Sequence, residues 1–182
     1  MTMLEQRIQQ QFFESADLLS QTAETLCKPI ADAAQAMLGS ITAGGKVMLF
    51  GSGAAAALAQ HGAALMVGRF ERERPGLAAL AIGSEAELQA LGAPGDVLLA
   101  LSTDAPAPVL SAIVLAAQAK DMTVVALTGR EAAGLVLQVS ETDVQIAVPH
   151  DRAARIHEAH LLVLHCLCDA VDLQLLGEQE ST

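Results

Sequence analysis

KVMLFGSGAAAALAQHGAAL, Lys46 to Leu65, is the stretch on which the fold reading turns. An apolar run, Val47 to Phe50, meets Gly51-Ser52-Gly53 and passes straight into a segment rich in helix formers. That is the pattern of a buried strand turning into a helix, and the amides at such a helix start receive anions. The side chains that would grip an anion are missing, because alanines occupy positions 54 to 57.

Working outward, four more apolar runs alternate with helical segments: Leu77 to Gly83, Asp96 to Thr103, Met122 to Gly129 and Val144 to Pro149. With Lys46 to Gly51 they predict five strands of a parallel sheet covered on both faces. Ligands in such sheets bind beyond the carboxyl ends of the strands, which directs attention to Gly51, Ser52 and Gly53, to Gly83-Ser84, to Ser102, Thr103 and Asp104, and to Thr128-Gly129. Residues 3–26 carry Leu4, Ile8, Phe12, Ser15 and Leu19 at spacings of three and four, a narrow apolar seam suited to packing against other helices. Pro29 reads as the first turn of a second helix, about 29–42, ended by Ala43-Gly44-Gly45. A last helix covers about 151–176. The organisation expected is an N-terminal helical oligomerisation arm over 1–42 and one α/β domain over 43–182.

Composition removes several function classes. The 182 residues carry a net charge of −11 with 2% aromatics, which argues against a nucleic-acid surface. No apolar run reaches the ~20 residues of a membrane span, and the start MTMLEQRIQQQ has no signal-peptide pattern. Cys27, Cys166 and Cys168 form no CxxC pair and read as small buried hydrophobes, so a reduced, cytoplasmic setting is expected. The dense basic stretch from Arg69 to Arg74 interleaves acids, which also argues against a nucleic-acid surface, and Arg69 beside Glu71 and Glu73 reads as solvated charge.

Four blocks in order, AGGKVMLFGSG, GRFERERPGLAALAI, GDVLLALST and MTVVALTG, resemble the sugar isomerase (SIS) family in its phosphoheptose isomerase branch. The stretches ARIHEAHLLVLHCLCDAVD and QQQFFES are similar to the DiaA type within that branch, which associates with the replication initiator DnaA. The resemblance implies a flavodoxin-like three-layer sandwich with a five-stranded parallel sheet, assembled as a homotetramer through N-terminal helices. It also implies a phosphosugar site at Gly51, Ser52, Gly53, Ser102, Thr103, Asp104 and Arg69, the last placed between subunits. Against the family pattern, Ala55 stands where a serine hydroxyl is expected and Asp104 brings a negative charge to the second turn. A carboxylate at about 4 Å repels a phosphate charge by roughly 4 kcal/mol at an effective dielectric near 20. Capping of the following helix is an equally consistent role for Asp104. The isomerases' glutamate base falls on Leu65, four residues after His61, and the segment after the second strand is shorter than theirs.

The family's metal-binding glutamine and histidine match His157 and His165, so with His61 this chain presents three imidazoles where zinc would sit. His150 and His160 read as surface residues. Taken together the changes point away from catalysis, toward a non-catalytic DiaA-type factor that binds DnaA. A phosphosugar isomerase acting on sedoheptulose 7-phosphate with rearranged chemistry, and a sugar-phosphate-binding regulatory module, are the alternatives. The exposed end of the last helix, Leu175 and Leu176 before Gly177, is the expected partner surface.

Overall fold

In a computed structural model, residues 1–103, 108–130, 140 and 142–177 are described. Every apolar run is a strand: β1 (Val47–Gly51), β2 (Ala79–Ile82), β3 (Val97–Leu101), β4 (Thr123–Gly129) and β5 (Val144–Val148). They form one parallel sheet in the order β2-β1-β3-β4-β5. The helices are α1 (Met3–Thr42), α2 (Ala55–Val67), α3 (Glu85–Leu91), α4 (Pro108–Gln118) and α5 (Ala153–Leu176).

The period-two alternation of strand side chains divides the core in two. Leu49, Leu99, Val125 and Leu127 face one side, where they pack with Ala33 and Met37 of α1, Leu58 and Met66 of α2, and Leu164 and Leu167 of α5. Met48, Phe50, Leu98, Ala100, Val124 and Ala126 face the other, against Leu88 of α3 and Leu110 and Ile113 of α4. The result is the expected three-layer α/β sandwich. α5 is the one described helix long and apolar enough to cross a bilayer, and here it is a core helix with Leu164, Leu167 and Val171 buried.

At the amino end of the sheet, two carboxylates tie strand to strand. Asp96, nearly fully buried, accepts the Lys46 amide at 2.9 Å, the Lys46 ammonium at 2.5 Å and the Ala93 amide at 2.8 Å. Asp143 accepts the Val124 amide at 2.8 Å, the Gln118 side-chain amide at 2.7 Å and the Ser140 amide at 3.1 Å.

One expectation about the helices is overturned. Residues 3–42 are a single helix of 40 residues with Pro29 inside it, not two helices meeting at the proline. Proline removes one helical donor, and the carbonyl it leaves unpaired is that of Thr25, an exposed residue that water can reach. Burial on both sides of the proline, at Leu18, Thr22, Ala33, Ala34 and Met37, holds the helix continuous. Its start has a full capping box, with the Glu5 amide donating to Thr2 Oγ1 at 3.2 Å and the Thr2 amide donating to the Glu5 carboxylate at 2.6 Å. The cysteines also differ from the sequence reading. Cys168 is buried, but Cys27 and Cys166 are exposed along the α1/α5 groove, where partial desolvation and Asp169 raise the Cys166 pKa.

Candidate active site

β1 is followed by β2 on one side and flanked by β3 on the other, so the strand order reverses between β1 and β3. Their carboxyl ends form the crevice in which doubly wound sheets bind ligands. Ser52 and Ser102 stand there. The Ser52 amide donates to Leu101 O at 3.1 Å and the Ser102 amide to Leu127 O at 2.9 Å, which extends the sheet by one residue. The two hydroxyls meet at 3.2 Å. Ser102 and Thr103 are buried, and the next strand end in the row, Thr128, has a buried hydroxyl with no partner among the described residues.

Gly51 and Gly53 are required by the turn. A Cβ at position 51 would run into the carbonyl of Ala55, and Gly53 takes a φ of +57°. The turn is nonetheless poorer than a full phosphate cradle. Ala54 caps α2 with no side-chain hydrogen bond, and Ala55 is fully buried, a methyl where a hydroxyl is implied. The Ala55 and Ala56 amides are committed to Ser52 O and Gly53 O at 3.1 and 3.2 Å. Asp104 lies outside the described residues.

Six residues into α2, about 9 Å along its axis, His61 faces His165 of α5. Their Nε2 atoms are 3.4 Å apart and the rings meet edge to face at 60°. Phe70, from the loop after α2, lies against the His165 ring with centroids 5.3 Å apart. His61 is exposed and His165 half-buried, so His165 is not a closed core histidine. Two nitrogens bound to a tetrahedral zinc at about 2.0–2.1 Å stand about 3.3 Å from one another, which this pair matches. A third ligand is lacking: among the described residues no three His, Cys, Asp or Glu side chains gather closely enough to hold a metal, so His157 does not join the pair. One chain therefore supplies two ligands where a catalytic zinc takes three, and the implied zinc does not fit the single chain.

Leu65, at the implied base position, is half-buried and packs on the core. Its carbonyl belongs to a feature that the sequence reading missed. The Arg74 side chain is buried with its Nε on Asp172 Oδ1 at 2.5 Å. Its remaining N–H groups donate to the carbonyls of Leu65 at 3.2 Å, Met66 at 2.9 Å, Gly68 at 3.2 Å and Pro75 at 3.2 Å. Arg72 donates to Gly177 O at 2.7 Å. The loop after α2 thus supplies the cations that the last turns of α2 and α5 lack in their own sequence.

The other histidines also depart from expectation. His160 is fully buried, with Nε2 3.3 Å from Thr128 O and Nδ1 unpartnered among the described residues. Burial lowers its pKa from 6.5 to about 4, assisted by His157 and opposed by the Thr128 carbonyl. His150 is half-buried and builds a turn, its Nδ1 accepting the Arg152 amide at 2.9 Å.

The remaining singled-out residues are at the surface. Arg69 pairs with Glu73 in the open. Leu4, Ile8 and Phe12 are 66%, 50% and 72% exposed and find no cover among the described residues. Leu175 and Leu176 are both exposed before Gly177, whose φ is +76° and whose amide donates to Leu173 O at 2.8 Å.

A profile of the SIS domain matches residues 11–91. Over the whole of both chains the protein is 57% identical to the phosphoheptose isomerase of Methylibium petroleiphilum. It is 42% identical to that of Aromatoleum aromaticum, over 96% of this chain and 97% of the relative. It superposes on the phosphoheptose isomerase GmhA of Neisseria gonorrhoeae with a TM-score of 0.86 at 35% identity, over 93% of this chain and 98% of the other. The chain belongs to the SIS family, in its phosphoheptose isomerase branch. These likenesses correct the expectation of a non-catalytic DiaA-type factor. That expectation weighed Leu65, Ala55 and a short loop against the whole chain, and end-to-end identity with isomerases outweighs three local departures.

Proposed function

We propose that the protein is a phosphosugar isomerase of the phosphoheptose type, interconverting the aldose and ketose forms of a heptose phosphate such as sedoheptulose 7-phosphate. The observation that carries the reading is the facing imidazole pair of His61 and His165, in a chain similar throughout to named phosphoheptose isomerases. Such a reaction takes a proton from the carbon beside the carbonyl, passes through an enediol and returns the proton to the neighbouring carbon. The carbonyl oxygen gains a proton as the adjacent hydroxyl loses one. A neutral imidazole has one acceptor nitrogen and one N–H donor. Of two rings with Nε2 atoms 3.4 Å apart, one accepts the carbon-bound proton while the other donates to the oxygen. The pair therefore takes on the work that Leu65 cannot do. Ser52 and Ser102, hydroxyl to hydroxyl at the β1/β3 crevice, serve as the phosphate end of the site. The apolar, uncovered residues Leu4, Ile8 and Phe12 support assembly into a homo-oligomer through α1, and a tetramer is the form we propose.

The test is incubation of the full chain with sedoheptulose 7-phosphate in D2O. Turnover with deuterium entering at the carbon beside the carbonyl is expected, and His61→Ala and His165→Ala should each lose about 10²–10⁴-fold. Absence of both turnover and exchange in the wild type would remove the proposal.

A further inference from the structure

Arg74 stands in a particular relation to the imidazole pair. On α5, His165 and Asp172 are seven residues apart; from His61 on α2 to Gly68, the residue that caps its end, is likewise seven, with Leu65 midway. Seven residues are close to two helical turns, so on each helix the ring and the Arg74 anchor lie along one stripe. Besides their apolar packing, the two helices are joined by two polar rungs. The His61–His165 contact is one, and the Arg74 guanidinium, bonded to Asp172 on one side and to the Leu65, Met66 and Gly68 carbonyls on the other, is the second. Arg74 is also four residues beyond Phe70, whose ring lies on His165. Arg74 therefore adds a polar tie to the apolar contact of the two helices, where Leu164 lies against Gly62.

We infer that Arg74, oriented by Asp172, is a positioning residue that holds His61 and His165 at the separation where they act as a pair. A planar fork fixes distance in a way that a flexible ammonium does not, and a site held about 1 Å too loosely loses much of its function. As far as catalysis is concerned the inference rests on the isomerase reading. The geometry itself is independent of it.

The experiment therefore reads the pair directly, with Cu²⁺ as probe. Electron paramagnetic resonance of the full chain titrated with Cu²⁺ is expected to show a two-nitrogen signature absent from His165→Ala. Arg74→Met combined with Asp172→Leu, which removes both buried charges together, is expected to lose that signature and about 10–100-fold in Cu²⁺ affinity, with far-ultraviolet circular dichroism unchanged. Arg74→Lys is expected to fold and to lie between the two. If the double variant melts lower but keeps the two-nitrogen signature and affinity, Arg74 is only a structural tie and the inference is overturned. If the double variant fails to fold, Arg74→Lys alone decides by the same two readings. A wild-type chain that shows the signature but no turnover with sedoheptulose 7-phosphate would remove the isomerase reading and leave the positioning role standing.

Discussion

At the amino end of the sheet, Asp96 and Asp143 each accept three hydrogen bonds and close strand on strand with carboxylates. At the carboxyl end, Ser52 meets Ser102 hydroxyl to hydroxyl, and Thr128 keeps a buried hydroxyl without a partner among the described residues. The same five strands therefore finish in two different chemistries. Satisfied charges rigidify one edge, whereas the other ends in hydroxyls, that of Thr128 unpartnered among the described residues. Stability should be concentrated at the first edge and function at the second.

The sharpest way to break that contrast is Asp96→Ala. It strands the Lys46 and Ala93 amides and leaves a partly buried ammonium without its partner, so the loss should be about 3–5 kcal/mol in urea unfolding, with activity per folded molecule retained. A loss below about 1 kcal/mol would mean that the amino edge is not the stabilising one.

His160 brings the carboxyl edge into the stability balance, because it hangs from Thr128 O. Its pKa is about 4 in the folded protein and 6.5 as an ordinary side chain, so between those values the unfolded chain binds more protons. The stability it contributes is complete above pH 6.5 and is lost as pH falls toward 4, by about 3 kcal/mol. Unfolding of His160→Leu across the same range should lack that component. Parallel pH profiles for wild type and variant would show that the ring is not buried neutral.

Smaller effects are expected at the crevice itself. Ser102→Ala removes the hydrogen bond to Ser52 and should cost about 1 kcal/mol of stability, while weakening phosphosugar binding in calorimetry. Smallest of all, Ile8→Asp with Phe12→Asp should change the unfolding free energy of a single chain by no more than about 0.5 kcal/mol, since both residues are exposed within it. Sedimentation should nevertheless show a smaller species. An unchanged species would mean that this face is not an assembly surface.

How much of this was legible in the sequence follows from the range of the interactions involved. The strands were readable because strands buried on both faces are continuous apolar runs. Pro29 was misread because its local meaning, a helix start, is overridden by burial on both sides of it. His160 carried a signal that went unused: Ile156, His160, Val163 and Leu167 are spaced by four, three and four, which places the ring on the buried stripe of α5. Asp172 likewise stands on the buried stripe of α5, four residues beyond Cys168, and a buried acid calls for a cation. Nothing in the order of residues identifies Arg74 as that cation, or brings His61 to His165. Both depend on how α2 and α5 register against one sheet face, which only the assembled fold determines.

The proline inside α1 has a consequence for the order in which the molecule assembles. An interior proline disfavours a helix by about 3 kcal/mol, so before docking the segments before and after Pro29 propagate as separate, fraying helices. The long rod becomes continuous only when α5 and the sheet are there to template it. Its residues should accordingly show φ-values near zero across Leu18 to Met37 in folding kinetics, so that the longest element of the protein is among the last to form.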